Sequence, residues 1–469
     1  MAGSDANAGT NPSAPRRTSG NAQGLYGSLS AGDTLAFCRG GVFSSVGAYL
    51  WNRNSTAANP ITIRDYDPHC AGPSCVNVWG TGTEARPVIP GTWNLSSSGS
   101  HAHQEGIVLE NLTTTAVLLF NDTDDVRICN IQSLNANNGI NVAGCAGGTA
   151  GTPGCTQDRV VVEGSRIINA SNQGVGMFAN STGGRIRNNY FYNCGYGDMF
   201  THAIYLGGDV SMMGSTVQTD QQITGNEIHP PSATSGTALV VHGVHHGTLV
   251  ENNLINYDIG SPPKPGGWGL VLVAGYGGQG MAERNDHAVV RGNTIINAGN
   301  VSLGVNSCLD CLIEDNLVIN TQQATRGIMV PYNASALPDT TPGTRNTIRN
   351  NTVYVTSAGM AGITVGGEGT GHIVSNNVVQ TPSGGTCYSW QSAAGSFTVR
   401  DYNASYQCSD AVVGSHSWKA LPQWVAPGTN FKPTAASPLS GAGDPAQRPA
   451  TDITGATRPA APSIGAFEP

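Results

Sequence analysis

Apolar residues in this chain fall in short runs of three to five, closed off by glycine or asparagine, and helical periodicity is nearly absent. The stretch 236–256 shows the unit most plainly. Thr237-Ala-Leu-Val-Val241 reads as a short buried strand, and glycines and histidines turn the chain over 242–247. Thr248-Leu-Val-Glu251 alternates in character, and Asn252-Asn253 bends the chain into Leu254-Ile255. The same punctuation recurs in Arg185-Ile-Arg-Asn188-Asn189-Tyr190, Ile223-Thr-Gly-Asn226-Glu-Ile228 and Val290-Arg-Gly-Asn293-Thr-Ile295. It returns in Ile313-Glu-Asp-Asn316-Leu-Val318, Ile348-Arg-Asn350-Asn351-Thr-Val353 and Ile373-Val-Ser-Asn376-Asn377-Val378. Strands this short bury little alone and need like neighbours above and below. Copies spaced at roughly 23 to 40 residues predict a solenoid with one coil per copy, roughly ten or more coils in all, with loops of variable length between them. Asparagines stacked at equivalent bends are expected to bond to one another and to neighbouring backbone, a structural role.

Composition supports many short strands and tight turns. Glycine supplies 63 of the 469 residues, and charged residues only 11%. A formal charge of −8 leaves no basic stripe for phosphates, so nucleic acid is not an expected partner. It leaves room for a divalent cation such as Ca2+, or for an anionic substrate held by a few local basic groups. No stretch is long enough to cross a bilayer, and a monomer outside the membrane is expected. The first 20 residues lack the apolar core of a signal peptide, so an exported chain that has already lost its signal is the expectation. Eleven cysteines fit an oxidising compartment, and a secreted, periplasmic or cell-surface location is expected. Cys70 with Cys75, Cys145 with Cys155, and Cys387 with Cys408 would each staple a loop. The pair in Cys308-Leu-Asp-Cys311 reads as a loop disulfide, since no second CxxC completes a zinc site. Cys38, Cys129 and Cys194 remain, and the odd total requires a free thiol.

The opening Ala31-Gly-Asp-Thr-Leu-Ala-Phe37, the stretch Gly80-Thr-Gly-Thr-Glu-Ala-Arg-Pro87-Val-Ile-Pro-Gly91 and the repeated Asn-Asn-x-Ile units resemble the secreted right-handed parallel β-helix proteins that act on carbohydrates. That group includes pectate lyases, alginate lyases and epimerases, polygalacturonases and phage tailspikes. The resemblance implies an all-β, single right-handed parallel β-helix with an irregular C-terminal cap and tail. On this reading residues 1–25 are a disordered N-terminal segment, 26–400 the β-helix, and 401–469 the cap and an extended tail packing back along the solenoid. Asp67-Pro68-His69 is similar to a short motif of bacterial alginate epimerases, but it lies in the first coil and not on a central strand.

Stacking the strands that begin at Gln173, His202, Thr237, Trp268, Val301 and Arg326 lines these residues up in one column. Alternation is read to place Ile204 and Leu206 inside and to project His202 and Tyr205 outward. His242 lies just beyond Val241, and Tyr332 just beyond Pro331. The result is a polar, aromatic and cationic strip suited to an extended sugar chain. His202 and Tyr205 are the expected proton-transfer pair, with His242 and Arg326 as further catalytic candidates. Gln173, Thr237, Trp268, Tyr332, His246, Lys264 and Arg284 are candidates for substrate binding. The cluster His242, His245 and His246 has no carboxylate or cysteine at fixed spacing, so no metal is assigned to it.

None of the aligned outward positions is Asp or Glu, whereas hydrolysis needs two carboxylates facing the substrate. Asp198, Asp209, Asp220 and Glu283 fall in loops. Elimination from a uronate needs a base, an acid and a carboxylate neutraliser, either Arg/Lys or a cation such as Ca2+. The expectation is therefore a polysaccharide lyase acting on an acidic glycan. In it His202 takes the C5 proton, Tyr205 protonates the leaving oxygen, and Arg326 or Lys264 neutralises the carboxylate. C5 epimerisation by the same groups, a glycosidase using loop carboxylates, and a non-catalytic carbohydrate-binding protein or adhesin are the alternatives.

Overall fold

The computed structural model describes residues 3–10, 14–19, 22–44, 46, 50–67, 85–95, 103–143, 156–177, 181–196, 198, 200–208, 217–231, 236–257, 267–273, 283–322, 326–330, 343–357, 361–367 and 369–469. Lys264, Tyr332, His69 and the cysteines at 70, 75, 145 and 155 lie outside them.

Parallel pairing between successive coils builds the molecule. One sheet runs through thirteen parallel strands from Thr34–Cys38 to Phe397–Asp401. Each coil then bends into a second series of strands, such as Glu227–His229 and Leu254–Asn256, and a third, such as His202–Gly208 and Thr237–Gly243. Four adjacent coils add a short further sheet: Gln218–Thr219, His245–His246, Asn285–Asp286 and Cys308–Leu309. Strands Ala404–Cys408 and Trp418–Lys419 continue the ladder beyond the last strand of the first sheet. The helix Ala22–Ser28 packs Ala22 and Tyr26 into the apolar core beside the first strand.

Identical inward positions set the register. Ile204, Leu239, Leu270, Leu303, Ile328 and Ile363 pair in sequence down the third series, all fully buried or nearly so. Slipping one strand by a single residue would turn its whole inward set outward, so the stack permits one register.

The bend between first and second series explains the asparagine pairs. Its first residue takes a left-handed backbone: Asn188, Gly225, Asn252, Gly292, Asp315, Asn350 and Asn376 all have φ between 52° and 66°. Only glycine and short polar side chains reach that region at little cost. The second residue is the ladder. Asn189, Asn226, Asn253, Asn293, Asn316, Asn351, Asn377 and Asn403 are buried one above another. Each Nδ2 donates to the next Oδ1 at 2.9 to 3.0 Å. The backbone N–H of each also donates to that same oxygen. A bend repeated in every coil thereby satisfies buried backbone groups that would otherwise lack partners.

Cys308 and Cys311 are bonded to each other, as are Cys387 and Cys408, while Cys38, Cys129 and Cys194 are free thiols. The C-terminal tail lies against the solenoid. Trp424, Phe431, Leu439 and Ile464 form an apolar cluster with Val378 and Ala404. Arg458, fully buried, bridges Asp315 of the coil and Glu468 of the tail at 2.5 and 2.6 Å.

Candidate active site

The third series of strands carries the candidate residues. Gln173 pairs with His202, Thr237 with Trp268, and Val301 with Arg326, so the column read from the sequence is the one the backbone forms. Two features of that strip are corrected. His202 is only 6% exposed. It nonetheless keeps to the Tyr205 side of the sheet, since its ring stacks on Tyr205 while Ala203, Ile204 and Leu206 enter the core, so it is buried on the outer face and not turned inward. Arg326 stands four strands along from His202, and strands lie about 4.8 Å apart, so it is roughly 19 Å away. A shared column is a line along the solenoid, not a site.

What the fold brings together is a chain of polar groups around Tyr205. Its hydroxyl lies 2.7 Å from His242 Nδ1 on the next coil. Gly207 makes this reach feasible, because a Cβ there would meet the Tyr205 ring at 2.7 Å. The other imidazole nitrogen of His242, Nε2, faces Glu283 Oε2 at 3.2 Å. Both His242 and Glu283 are buried, Glu283 completely. A carboxylate beside Nε2 favours the tautomer with its proton there, leaving Nδ1 to accept from the tyrosine hydroxyl. Tyr205, His242 and Glu283 thus line up as a candidate proton relay, hydrogen-bonded at the first step and in ion-pair contact at the second.

Neighbouring groups hold this chain in place. The His202 ring stacks on Tyr205, with centroids 5.4 Å apart and planes 12° from parallel. Its Nδ1–H donates to the Thr237 carbonyl at 2.9 Å. Gln173 is occupied with the backbone: its Oε1 accepts from His202 N–H, and its Nε2 donates to the Phe200 carbonyl. His245 Nε2–H donates to the His242 carbonyl at 2.9 Å. Trp268 is half-buried, and its carbonyl accepts from the Tyr257 hydroxyl. His246 and Arg284 are exposed at the ends of the strands flanking the relay. Phe200, 63% exposed beside His202, offers an aromatic face at the edge of the site.

Sequence reasoning set Glu283 aside as a loop carboxylate. Only the strand register places it at the site. His245 pairs with Asn285, so the residue two before Asn285 falls opposite Gly243, next to His242.

Burial lowers the His202 and His245 imidazoles from 6.5 to about 4, desolvation outweighing the backbone acceptors that favour the charged form. The unfolded chain binds these protons near its ordinary value and the fold only near 4, so between the two the unfolded state holds more protons. Their contribution to stability is complete above about pH 6.5 and is lost as pH falls toward about 4. Buried carboxylates such as Asp124, raised to about 6, act in the opposite direction, so the histidine effect is read as a difference between proteins. Urea unfolding from pH 7.5 to 5 is expected to lose more stability in the wild type than in His202→Gln. Equal slopes would show that His202 is not held neutral.

Residues 201–401 match the family described as right handed beta helix region, a span containing Tyr205, His242 and Glu283. None of the curated proteins matches the chain in sequence. Among solved structures the chain is similar to the GH136 lacto-N-biosidase of Eubacterium ramulus, at 14% identity and a TM-score of 0.49. That alignment covers 86% of this chain and 66% of the other, so the chain spans just under two thirds of that protein's length. It is similar to XylC, solved with xylose, at 11% identity over 99% of this chain and 97% of that one, with a TM-score of 0.49. The mannuronan C-5 epimerase AlgE6 A-module of Azotobacter vinelandii matches at 13% identity over 86% and 94% of the two chains, with a TM-score of 0.48. Polysaccharide lyases stand among the other matches. Likeness at this distance assigns no activity to the chain. The stacked parallel sheets and the matched region together make this chain a right-handed parallel β-helix.

Proposed function

We propose that the chain is a secreted polysaccharide lyase that cleaves an acidic, uronate-containing glycan by β-elimination. The observation that carries this reading is the Tyr205–His242–Glu283 relay on the outer side of the third strand series. With the tyrosine proton held on His242 and the imidazolium stabilised by Glu283, the Tyr205 oxygen takes the C5 proton of a bound uronate. The C4–C5 double bond forms, the C4–oxygen bond breaks, and Tyr205 returns its proton to the departing oxygen. The base role expected of His202 passes to Tyr205, since a buried imidazole with a lowered proton affinity is a weak base. Its stacked ring positions Tyr205 instead.

Glu283 is sealed behind His242 and cannot touch a sugar, which disfavours double-carboxylate hydrolysis at this centre. Arg284, exposed and next to Glu283, is the nearer candidate to neutralise the uronate, and Arg326 is placed to hold a sugar farther along the chain. Lys264 keeps its candidacy as a neutraliser. Two disulfides support an oxidising compartment.

The test is to mix the protein with a panel of uronate polymers and follow ultraviolet absorbance of the unsaturated product. A rise that disappears in Tyr205→Phe is the expected result. New reducing ends without absorbance would replace the reading with hydrolysis, inversion at C5 without cleavage with epimerisation, and binding without turnover with a carbohydrate-binding protein.

A further inference from the structure

Just past the relay, the chain forms a second cluster that the proposed chemistry does not use. His245–His246 and Asn285–Asp286 are neighbouring strands of the short four-stranded sheet, with His246 paired to Asp286. His287 follows Asp286 with a left-handed backbone, φ 53°, which turns its side chain back toward the same spot. His246 Nδ1 lies 3.4 Å from one Asp286 oxygen and His287 Nδ1 lies 2.6 Å from the other. The two rings stand 5.3 Å apart at 49°, and one donor atom from each of the three residues falls within 4.8 Å of the others.

We propose that His246, Asp286 and His287 form a binding site for a divalent transition metal of the zinc class. The donor set is the first reason: two imidazoles and one carboxylate match the ligands such ions take, whereas Ca2+ takes six to eight oxygens. Geometry is the second. Ligand bonds of roughly 2.0–2.1 Å at a tetrahedral ion separate neighbouring donors by roughly 3.3 Å. His246 already lies about one such edge from Asp286 Oδ2 and His287 closer still to Oδ1, and the three donor atoms fall within 4.8 Å of one another, so a small rotation of the carboxylate and rings brings them round one ion. The third is rigidity, since paired strands of adjacent coils present His246 and Asp286 and little ordering remains for the ion to impose. Both histidines are more than half exposed, which leaves an entry path and a fourth position for water.

Such an ion has a structural consequence. It ties the segment ending in His246 to the one running from Glu283 to His287, and these are the segments that hold His242 against Glu283. Metal at this site is therefore a clamp on the far end of the relay, whatever reaction the relay performs.

The experiment is isothermal titration of chelator-stripped, tag-free protein with ZnCl2, and in parallel with CaCl2, together with thermal melting. Expected are one Zn2+ per chain, no heat from Ca2+ at this site, and a higher melting temperature with Zn2+. Asp286→Asn and the double variant His246→Ala/His287→Ala should weaken Zn2+ binding by about tenfold or more, since even outer partners of metal ligands cost that much. They should also lose the Zn2+-dependent rise in melting temperature. No Zn2+ uptake by the wild type would overturn the proposal. Uptake unchanged in both variants, with each variant folded by circular dichroism, would overturn it equally by placing the ion elsewhere. Neither outcome bears on the lyase reading, which is tested without added zinc.

Discussion

Tyr205→Phe is expected to lower the rate of unsaturated-product formation by about a hundredfold or more, the scale on which positioned acid–base groups act. The substitution removes one hydroxyl and leaves the ring stacked on His202, so its cost in stability should stay near a single hydrogen bond, about 0.5–1.5 kcal/mol. His242→Gln should lose activity on a similar scale, because Tyr205 then has no base to take its proton. Glu283→Gln tests the far end of the relay. Glu283 touches His242 and not the substrate, so its removal should move the pH–rate profile as well as the turnover. Full activity in Tyr205→Phe would sink the site, and a variant that no longer folds would mean that a packing residue had been taken for chemistry.

Asn293→Leu is expected to destabilise the fold by roughly 2–6 kcal/mol, the sum for two buried donors left without an acceptor at about 1–3 kcal/mol each. Those donors are the backbone N–H of Asn253 and one of its two Nδ2 hydrogens, which bond to Asn293 Oδ1 at 3.0 and 2.9 Å, while the other Nδ2 hydrogen keeps the Ile223 carbonyl. Leucine is close to asparagine in size, so the loss would report hydrogen bonding more than cavity formation. Asn252→Ala at the preceding bend tests the other half of the motif, the left-handed backbone, and should cost about 1–2 kcal/mol. Chemical denaturation of the two variants against wild type separates these contributions. An unchanged midpoint for Asn293→Leu would mean that water replaces the ladder and that the asparagines do not hold the coils together.

The column of Gln173, His202, Thr237, Trp268, Val301 and Arg326 shows how far the chain could be read without coordinates. Its register was legible because Ile204, Leu239, Leu270, Leu303 and Ile328 must all face inward, and a one-residue slip would expose them. Its meaning was not. Residues in one column are separated along the solenoid axis, so His202 and Arg326 share a line without sharing a substrate atom. His202 lies on the face expected of it, stacked on Tyr205, but it is buried there, and only the packing of neighbouring coils decided that.

Within the bend the division is equally clear. The Asn-Asn, Gly-Asn and Asp-Asn pairs announced turns, because few residues tolerate a left-handed backbone and the second asparagine recurs from Asn189 to Asn403. Such local conformational preference and a repeated inward apolar pattern are properties of the sequence itself, and they determined the β-helix, its register and its asparagine ladder. The partnership of Tyr205, His242 and Glu283 was decided only by tertiary structure. These three residues span 79 positions of the chain and come from three coils joined by loops of unequal length. No periodicity relates them, and they meet because the stacked strands bring neighbouring coils within side-chain reach.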